Sequence, residues 1–310
     1  MLSVEIATDA LARGFLARAG AQLEEVPRSV LPVSDRAPGD EGELLLMPAF
    51  GPEGAGLKLV SIVRGNGARG LPLIQGLYVL LARDGLTPEL VIDGAALTGI
   101  RTAAVSALAT RRLARPDSRH LVVFGAGAQA SAHVAAMRAM LPIERVTIVA
   151  RSPASARAAT LARAVAADGV RATVGTPSAV ADADVVCTCT TSTEPVFDDA
   201  RLPAGAHVNA IGAYRLDMCE LPAATLARAL LVVESVPATL AEAGDVARAI
   251  DAGVLPARGF ADELVEVLDG TVGRSGPEQL TVFKSVGLAI EDLMLARAVA
   301  DALDQESTDR

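Results

Sequence analysis

The chain has 310 residues, a hydrophobic fraction of 51% and a formal net charge of −9 at pH 7. This length predicts two domains with a sizeable core, and the acidic balance argues against a nucleic-acid partner, because phosphate binding needs a basic surface. No apolar run approaches the roughly 20 residues of a membrane span, no secretory signal opens the chain, and three cysteines suit a reducing compartment, so we expect a cytoplasmic protein without a membrane partner.

The first part of the chain has the pattern of an α+β domain. A helix is expected near the start, with Thr8 or Asp9 as its N-cap. Strand-like runs, separated by Gly and Pro turns, follow at 43–47, 56–63, 76–82 and 89–93. The last helical segment, 285–303, is expected to pack back on these strands. We therefore place this domain at residues 1–114, completed by residues 285–310.

Two basic residues of this domain stand in apolar segments. Lys58 lies in the run 56–63, where the alternation of a half-buried strand favours an outward-pointing side chain. Arg101 is expected in the first turn of a helix capped by Thr98, where a cation opposes the helix dipole. A bound carboxylate or phosphate would reverse that effect, and arginine matches either in fork geometry. The alternative is a salt-bridged arginine, and the residues alone do not decide between the two.

A dinucleotide-binding βαβ unit is predicted from residue 120 onward. The apolar run 120–124 is followed by a glycine pair and a helix-compatible run, and a second strand comes about twenty residues later. Gly125 would make the tight turn, Gly127 would let the backbone approach a pyrophosphate, and Ala130 still permits close helix–strand packing. The helix that opens near Ala128 offers N–H groups and a positive dipole end to the pyrophosphate.

The end of the second strand indicates which nucleotide is bound. An NAD-preferring site usually has Asp or Glu there, but this chain has Ala150, followed by Arg151 and Ser152. Arginine pairs with phosphate bidentately and serine adds a donor, so NADP(H) is favoured over NAD(H). The alternative is a solvated arginine followed by a helix N-cap at Ser152.

The remaining segments complete a Rossmann-type doubly wound domain. Strand candidates at 170–174, 184–190, 207–211 and 230–234 alternate with Ala-rich helical segments, which predicts a mostly parallel sheet. A helix is expected over 238–252, ending at Gly253. With residues 116–118 as the linker, this NAD(P)-binding domain is placed at 115–284.

No metal site is expected. Cys187 and Cys189 are separated by one residue, which is a poor zinc spacing, and they would lie on one face of a strand. His120, His133 and His207 are scattered along the chain without the spacing of metal ligands. Structural packing is therefore the favoured role of the two cysteines, and core or surface roles are favoured over catalysis for the three histidines.

Strings along nearly the whole chain resemble the ornithine cyclodeaminase/μ-crystallin family. They are Lys-Leu-Val-Ser-Ile-Val at 58–63, Gly-Leu-Pro-Leu-Ile-Gln-Gly at 70–76, Asp-Gly at 93–94, Leu-Thr at 97–98, Arg-Thr-Ala-Ala-Val-Ser at 101–106, Gly-Ala-Gly-Ala-Gln-Ala at 125–130, Val-Asn-Ala-Ile-Gly-Ala-Tyr at 208–214, Glu-Ala-Gly-Asp at 242–245 and Thr-Val-Phe-Lys-Ser-Val-Gly-Leu-Ala-Ile-Glu-Asp at 281–292. The resemblance implies a two-domain subunit, a homodimer formed through the N-terminal domain, a bound NAD(P) and hydride transfer at the α-carbon of amino or imino acids.

The resemblance also implies the site residues. Lys58 and Arg101 would act in catalysis by holding the substrate carboxylate, assisted by Arg28, and Tyr214 and Glu242 would face the substrate. The cofactor would contact a larger set of residues, comprising Arg101, Thr102, Gly125, Gly127, Ala128, Gln129, Ala150, Arg151, Ser152, Thr190, Thr191, Ile211, Gly212 and Ser285.

One departure from the family decides the expected reaction. Cyclodeaminases of the family have an aspartate for the distal amine of the substrate, but the matching position here is Tyr214, and Asp217 lies three residues on. A tyrosine, with an ordinary pKa of about 10, is a poor base and cannot neutralise a distal ammonium. Together with Ala150, Arg151 and Ser152, this resembles the NADPH-using ketimine reductases and μ-crystallin.

We therefore expect NAD(P)H-dependent reduction of a small cyclic α-imino acid, Δ1-pyrroline-2-carboxylate or Δ1-piperideine-2-carboxylate, to the L-amino acid. The proton source stays open among Tyr214, Glu242, Lys58 and a bound water, and Glu242 is equally a helix-surface acid. The alternatives are an ornithine cyclodeaminase, an alanine-type dehydrogenase, a synthase that joins an amine to an α-keto acid, and a non-catalytic μ-crystallin-like ligand-binding protein.

Overall fold

The structure, a computed structural model, describes residues 3–18, 26–33 and 41–308. The strands of this part are β1 (Ser29–Val33), β2 (Gly42–Gly51), β3 (Gly54–Val63), β4 (Ile74–Leu81), β5 (Pro88–Asp93), β6 (His120–Phe124), β7 (Arg145–Val149), β8 (Arg171–Gly175), β9 (Val185–Thr188), β10 (His207–Ala210), β11 (Leu230–Val233), β12 (Asp262–Glu263) and β13 (Thr281–Lys284). The α-helices are α1 (Val4–Leu16), α2 (Gly94–Leu113), α3 (Ala128–Met140), α4 (Ala156–Ala167), α5 (Ala223–Arg228), α6 (Val236–Glu242), α7 (Gly244–Asp251), α8 (Leu264–Leu268) and α9 (Ala289–Thr308).

The chain divides into two compact units. The sheet unit comprises Met1–Arg101 and Leu288–Arg310, and the Rossmann unit comprises Thr102–Gly287. In the sheet unit, β1 to β5 form an antiparallel sheet in which each strand pairs with the next along the chain. Helix α9 packs on one face of this sheet, against β2, β3 and β4, and α1 packs against α9.

The antiparallel sheet buries a lysine on one face and exposes apolar side chains on the other. Lys58 and its cross-strand neighbour Tyr78 lie on the face that α9 covers, and both are buried. The opposite face carries exposed apolar side chains, among them Leu59 and Leu77, which pair across β3 and β4. The expectation that Lys58 would point into water is therefore wrong, because the helix covers the face that carries the lysine.

The Rossmann unit contains a fully parallel sheet in the order β12-β11-β13-β10-β9-β6-β7-β8. The residues of β6 are all buried, as is typical of a central parallel strand with both faces covered. The strand order reverses between β6 and β9, and ligands of doubly wound sheets bind at such a switch point, outside the carboxyl ends of the strands. The doubly wound Rossmann-type fold with a separate α+β domain is confirmed.

Both predicted helix caps of the sheet unit are wrong. Helix α1 begins earlier than expected, because the side chain of Ser3 accepts the amide of Ile6 at 3.3 Å. Thr8 lies inside the helix, where its hydroxyl donates to the carbonyl of Val4 at 2.6 Å. The sequence pattern did not distinguish the two positions, because a hydroxyl side chain can cap a helix or bond to the carbonyl of the preceding turn inside it.

Arg101 does not lie in a first helical turn. The carboxylate of Asp93 accepts the amides of Ala95 and Ala96 at 2.8 and 2.9 Å and thereby caps α2. Thr98 instead donates its hydroxyl to the carbonyl of Gly94 at 2.7 Å. Arg101 is therefore two turns into α2, and the argument that it opposes the helix dipole does not hold.

Two other segments differ from the predicted elements. The expected helix over 238–252 is two helices, α6 and α7, because the chain is extended at Ala243 and a Cβ at Gly244 would lie 2.0 Å from the carbonyl oxygen of Met218. Residues 285–288 are not helical, and α9 begins at Ala289. Strands β1, β12 and β13 were not predicted. Among the described residues, no helix has the length and apolar character needed to cross a membrane.

Candidate functional site

A buried cluster of four charged side chains lies inside the sheet unit. Lys58, on β3, places its Nζ 2.7 Å from Oδ2 of Asp292. Arg101, on α2, donates through Nη1 to Oε2 of Glu291 at 2.9 Å, and its Nε lies 3.4 Å from Oδ1 of Asp292. All four residues are at most 5% exposed. The structure thus brings together the two cations that the sequence singled out, each with a carboxylate partner.

Burial changes the proton affinity of Lys58. The pKa of the ammonium is lowered to about 8, chiefly by burial and to a lesser extent by the positive charges of Arg101 and Arg28. The attraction and hydrogen bond of Asp292 oppose this effect and favour the charged form. Lys58 is therefore mostly protonated at neutral pH but loses its proton within the range in which enzymes are assayed.

Arg28 belongs to the same neighbourhood. It lies just before β1, is partly buried, and is close enough for its charge to act on Lys58. All three cations predicted to hold a substrate carboxylate therefore belong to the sheet unit.

The two acids of this cluster lie in the closing string that resembles the family, but no role in the site was predicted for them from the sequence. Glu291 and Asp292 are adjacent in the first turn of α9, where a helix N-terminus favours negative charge. A signal was present, because the pair stands in the otherwise apolar run 288–296. Two acids inside an apolar helix predict buried partners of opposite charge, but the sequence does not say which cations these are.

In the Rossmann unit, the glycine turn after β6 fits a dinucleotide. Gly125 has φ +108°, and a Cβ there would lie 2.4 Å from the carbonyl oxygen of Cys189, so no other residue is accommodated. A Cβ at Gly127 would meet nothing within 4 Å, so packing alone does not require a glycine there. No side chain of the described residues caps α3 at Gly127, and Gly127 and Ala128 are exposed. Next in α3 come Gln129, partly buried, and Ala130, buried against the sheet.

The turn after β7 presents the residues expected at the adenosine end of the cofactor. Ala150 is partly buried, whereas Arg151 and Ser152 are exposed. Ser152 accepts the amide of Ala154 at 3.2 Å, and the N-cap of α4 is Ser155. The alternative that Ser152 is the helix N-cap is therefore wrong.

The carboxyl ends of β9 and β10 are held by a residue that the sequence argument did not use. The buried carboxylate of Glu220 accepts five hydrogen bonds between 2.6 and 3.1 Å, from Thr188 Oγ1, Thr190 N, Thr190 Oγ1, Gly212 N and Ala213 N. A Cβ at Gly212 would lie 2.1 Å from the carbonyl oxygen of Thr190, so the two strand ends approach closely. Burial raises the pKa of Glu220, while Lys284 and the Thr190 hydrogen bonds counteract that rise.

A second buried ion pair supports Glu220. Asp245 accepts the amides of Glu220 and Leu221 at 2.6 and 2.9 Å, and its Oδ2 lies 3.0 Å from Nζ of Lys284. Lys284 also donates to the carbonyl of Ala213 at 2.5 Å. Although burial alone would raise the pKa of Asp245, the charge of Lys284 and the two amides lower it. This pair fixes the loop that carries Glu220.

The other predicted residues of the Rossmann unit lie as follows. Thr102, on α2, Ile211, after β10, and Ser285, after β13, are buried, and Thr191 is exposed. The hydroxyl of Ser285 donates to Glu234, which also accepts the amides of Val286 and Gly287 at 3.1 and 2.8 Å. Glu234 therefore holds the non-helical segment that follows β13.

Tyr214 and Glu242 both belong to the Rossmann unit and are partly buried. Tyr214 packs against the core of that unit, and Glu242 is the last residue of α6. Asp217, which lies three residues after Tyr214, is exposed and pairs with Arg215 at 2.9 Å. Within the described ranges, no group of three or more His, Cys, Asp or Glu side chains could hold a metal ion.

Comparison with known proteins identifies the family. The model of the ornithine cyclodeaminase/mu-crystallin family matches residues 2–307. The chain belongs to this family. It is 38% identical over 253 residues to the Δ1-pyrroline-2-carboxylate reductase of Paracoccus denitrificans, covering 80% of this chain and 79% of that protein. It is 36% identical over 277 residues to the ketimine reductase mu-crystallin of Mus musculus, covering 89% and 84%.

The fold agrees with that of a solved family structure. The Thermococcus litoralis Δ1-pyrroline-2-carboxylate reductase in complex with NADH and L-proline superposes with a TM-score of 0.89 at 29% identity, covering 98% of this chain and 95% of that one. The glycine turn of this chain predicts a nicotinamide cofactor, and the NADH bound to this similar structure supports that prediction.

Proposed function

We propose that the protein is an NAD(P)H-dependent ketimine reductase that converts a small cyclic α-imino acid to the L-amino acid. Δ1-Pyrroline-2-carboxylate and Δ1-piperideine-2-carboxylate are the leading substrates. The observation that carries the proposal is the 38% identity, over four-fifths of the chain, to a reductase of that name. The buried pair Lys58 and Arg101 supports it, because a carboxylate-bearing substrate needs such an anion clamp.

The proposed reaction depends mainly on how the substrate is positioned beside the nicotinamide. Lys58 and Arg101, with Arg28 nearby, bind the substrate carboxylate and thereby fix the adjacent α-carbon, which carries the imine. A bound nicotinamide supplies the hydride. Reactants held about 3–3.5 Å apart in the right orientation gain much of the rate acceleration of an enzyme. A protonated imine is already electrophilic, so the clamp needs to supply little beyond binding and orientation. Tyr214 and Glu242 are the further residues that we propose for the substrate.

For the cofactor we propose NADP(H) in preference to NAD(H). The turn after β7 offers Arg151 and Ser152 to a 2′-phosphate and has no acid at Ala150 that would repel it. The remaining proposed contacts are Arg101, Thr102, Gly125, Gly127, Ala128, Gln129, Thr190, Thr191, Ile211, Gly212 and Ser285. The open space beside Gly127 and the exposed start of α3 support them.

We further propose that residues 1–114, completed by 285–310, bind substrate and form a homodimer, and that 115–284 bind the cofactor. The division of the chain into two compact units supports two separate roles, although the boundaries fall after Arg101 and before Leu288, so residues 102–114 and 285–287 group with the Rossmann unit. The outer face of the antiparallel sheet carries exposed Leu57, Leu59, Leu77 and Val91, and an apolar sheet face of this kind favours a second copy as its cover. The three free cysteines support a cytoplasmic location.

A substrate panel tests the proposed reaction. We expect rapid oxidation of NADPH with the two cyclic imino acids, no ammonia from L-ornithine, and no comparable reduction of NADP+ with L-alanine. Tyr214 is the reason for the second expectation, because it cannot neutralise a distal ammonium. Ammonia and proline from ornithine would establish a cyclodeaminase instead, turnover only with an added amine would indicate a synthase, and no turnover of any substrate would favour a ligand-binding protein.

A further inference from the structure

Asp292 contacts both cations of the proposed carboxylate clamp. Its Oδ2 lies 2.7 Å from Nζ of Lys58, and its Oδ1 lies 3.4 Å from Nε of Arg101. The three residues come from β3, α2 and α9, and the side chain of Asp292 is fully buried. A carboxylate at this place faces two cations rather than solvent.

We propose that Asp292 is a positioning residue that holds Lys58 and Arg101 side by side so that both reach one substrate carboxylate. The proposal rests on the proposed function, since it concerns the clamp of that reaction. Asp292 acts through the two cations and is not itself a catalytic residue.

The energetics of burial require such a partner. An ammonium and a guanidinium that are almost completely removed from water repel each other and lose their hydration, unless carboxylates compensate them. Removing one partner of a buried ion pair is strongly unfavourable, because the other charge stays buried and unpaired. Asp292 lies in the first turn of α9, where the helix dipole favours negative charge, and its two oxygens lie near both cations.

Glu291 has a different task. It accepts Nη1 of Arg101 at 2.9 Å and the backbone amide of Leu288 at 3.3 Å, so it fixes the far end of the guanidinium and the start of α9. The ion pair that reaches Lys58 is made by Asp292. Substitution of the two neighbouring acids should consequently affect the two cations differently.

The pKa of Lys58 should report whether Asp292 carries its charge beside the lysine. Arg101 on α2 and Arg28 before β1 lower the pKa of Lys58, Asp292 on α9 raises it, and burial has the largest effect. Tyr78, the cross-strand neighbour on β4, remains neutral because burial raises the pKa of its hydroxyl. Without the charge of Asp292, the remaining influences all favour the neutral amine, and Lys58 should lose its proton at a lower pH.

The composition of the chain makes this signature directly observable. Of the 28 basic residues, Lys58 and Lys284 are the only lysines. Lysine labelled with carbon-13 at the ε position would give two resonances in the full-length protein, and Lys58→Arg identifies which one belongs to Lys58. Lys284 pairs with Asp245 within the Rossmann unit and serves as an internal control.

The experiment follows both resonances with pH in the wild type and in three variants. Asp292→Asn should lower the titration midpoint of Lys58 by at least one pH unit. Glu291→Gln should lower it less than Asp292→Asn does, and the exposed control Asp301→Asn should leave it unchanged. The KM for Δ1-pyrroline-2-carboxylate at neutral pH should rise on the order of 10- to 100-fold in Asp292→Asn, with a smaller change in kcat, and should partly recover at lower pH. An unchanged Lys58 midpoint in Asp292→Asn would overturn the proposal.

The design separates this proposal from the proposed function. The titration needs no turnover, so wild-type protein that does not reduce the imino acid would contradict the function and leave the Asp292 result standing. If Asp292→Asn does not fold, Asp292→Glu keeps the charge but moves it by one methylene, and it should keep the Lys58 midpoint while raising KM. Pyrrole-2-carboxylate, a flat carboxylate probe, should raise the midpoint of Lys58 in the wild type, and a midpoint that ignores the probe would also overturn the proposal.

Discussion

Lys58 is a buried cation that titrates near physiological pH, and this is the property that most restricts the proposed reaction. Its ammonium is compensated by Asp292, yet burial holds its pKa at about 8. An arginine at the same place would remain charged at every accessible pH. If Lys58 binds the substrate carboxylate as proposed, substrate binding should depend on pH.

The pH profile should show this dependence. We expect kcat/KM for the imino acid to fall as pH rises through about 8, because neutral Lys58 no longer attracts the carboxylate. The imine itself also titrates, and Lys58→Arg separates the two effects because the guanidinium does not lose its proton. If the decline is unchanged in Lys58→Arg, it belongs to the substrate, and Lys58 is not the titrating group.

The proposed cofactor preference depends on individual residues after β7. Ala150→Asp places a carboxylate where a 2′-phosphate would approach and where a ribose 2′-hydroxyl would be accepted. We expect the ratio of kcat/KM with NADPH to that with NADH to fall by at least about tenfold, from repulsion of the phosphate. Ala154→Asp, in the exposed part of the same turn, is the control. A ratio that stays constant in Ala150→Asp would remove Arg151 and Ser152 from the cofactor site.

At the scale of elements, the carboxyl ends of β9 and β10 depend on Glu220. Among its five hydrogen bonds are those from Thr190, after β9, and from Gly212 and Ala213, after β10, so one side chain connects the ends of both strands. This is the edge at which a doubly wound sheet binds its ligand. The side chain has no solvent contact and the loop before it is fixed by Asp245.

Glu220→Gln tests this arrangement. The amide keeps the size of the side chain but puts an NH2 group against backbone donors, which leaves donors unsatisfied. We expect faster hydrogen exchange of the Gly212 and Ala213 amides and about tenfold weaker binding of NADPH, measured by its fluorescence. Glu194→Gln, an exposed acid of the same loop region, should match the wild type in both measurements. Unchanged exchange in Glu220→Gln would show that the strand ends do not need this carboxylate.

The sequence predicted the helices and strands better than it predicted which side chains are buried and which distant residues they contact. The glycine turn at Gly125 and the parallel strands follow from local patterns, because β-branched runs and glycines act through the nearest backbone. The burial of Lys58 could not be predicted, since a period-two pattern defines two faces but not the one that a helix 230 residues later covers. Glu220 was missed for the same reason, because its partners lie up to 32 residues away along the chain.

At the scale of the whole molecule, the apolar outer face of the antiparallel sheet requires an explanation. Leu59 of β3 pairs with Leu77 of β4 on that face, and Val91 of β5 is 61% exposed. Monomeric proteins rarely expose contiguous apolar patches of this kind unless they are used for binding. A second copy of the chain is the proposed cover.

Leu77→Asp should therefore shift the protein from dimer to monomer in sedimentation velocity, because it places a charge in a desolvated interface. Leu240→Asp introduces the same change at an exposed leucine of the Rossmann unit and should leave the mass unchanged. A wild-type protein that sediments as a monomer, or a Leu77→Asp variant that stays dimeric, would contradict the proposed interface.

The central claim is that this family member reduces a cyclic imino acid held by Lys58 and Arg101. The most direct test is the consumption of NADPH with Δ1-pyrroline-2-carboxylate, measured for the wild type and for Arg101→Ala beside Arg111→Ala, a surface arginine on the same helix. The account predicts rapid turnover by the wild type and by Arg111→Ala, and a loss of kcat/KM on the order of 100-fold or more in Arg101→Ala with the protein still folded. Near-normal kinetics of folded Arg101→Ala, or no turnover by the wild type, would contradict it.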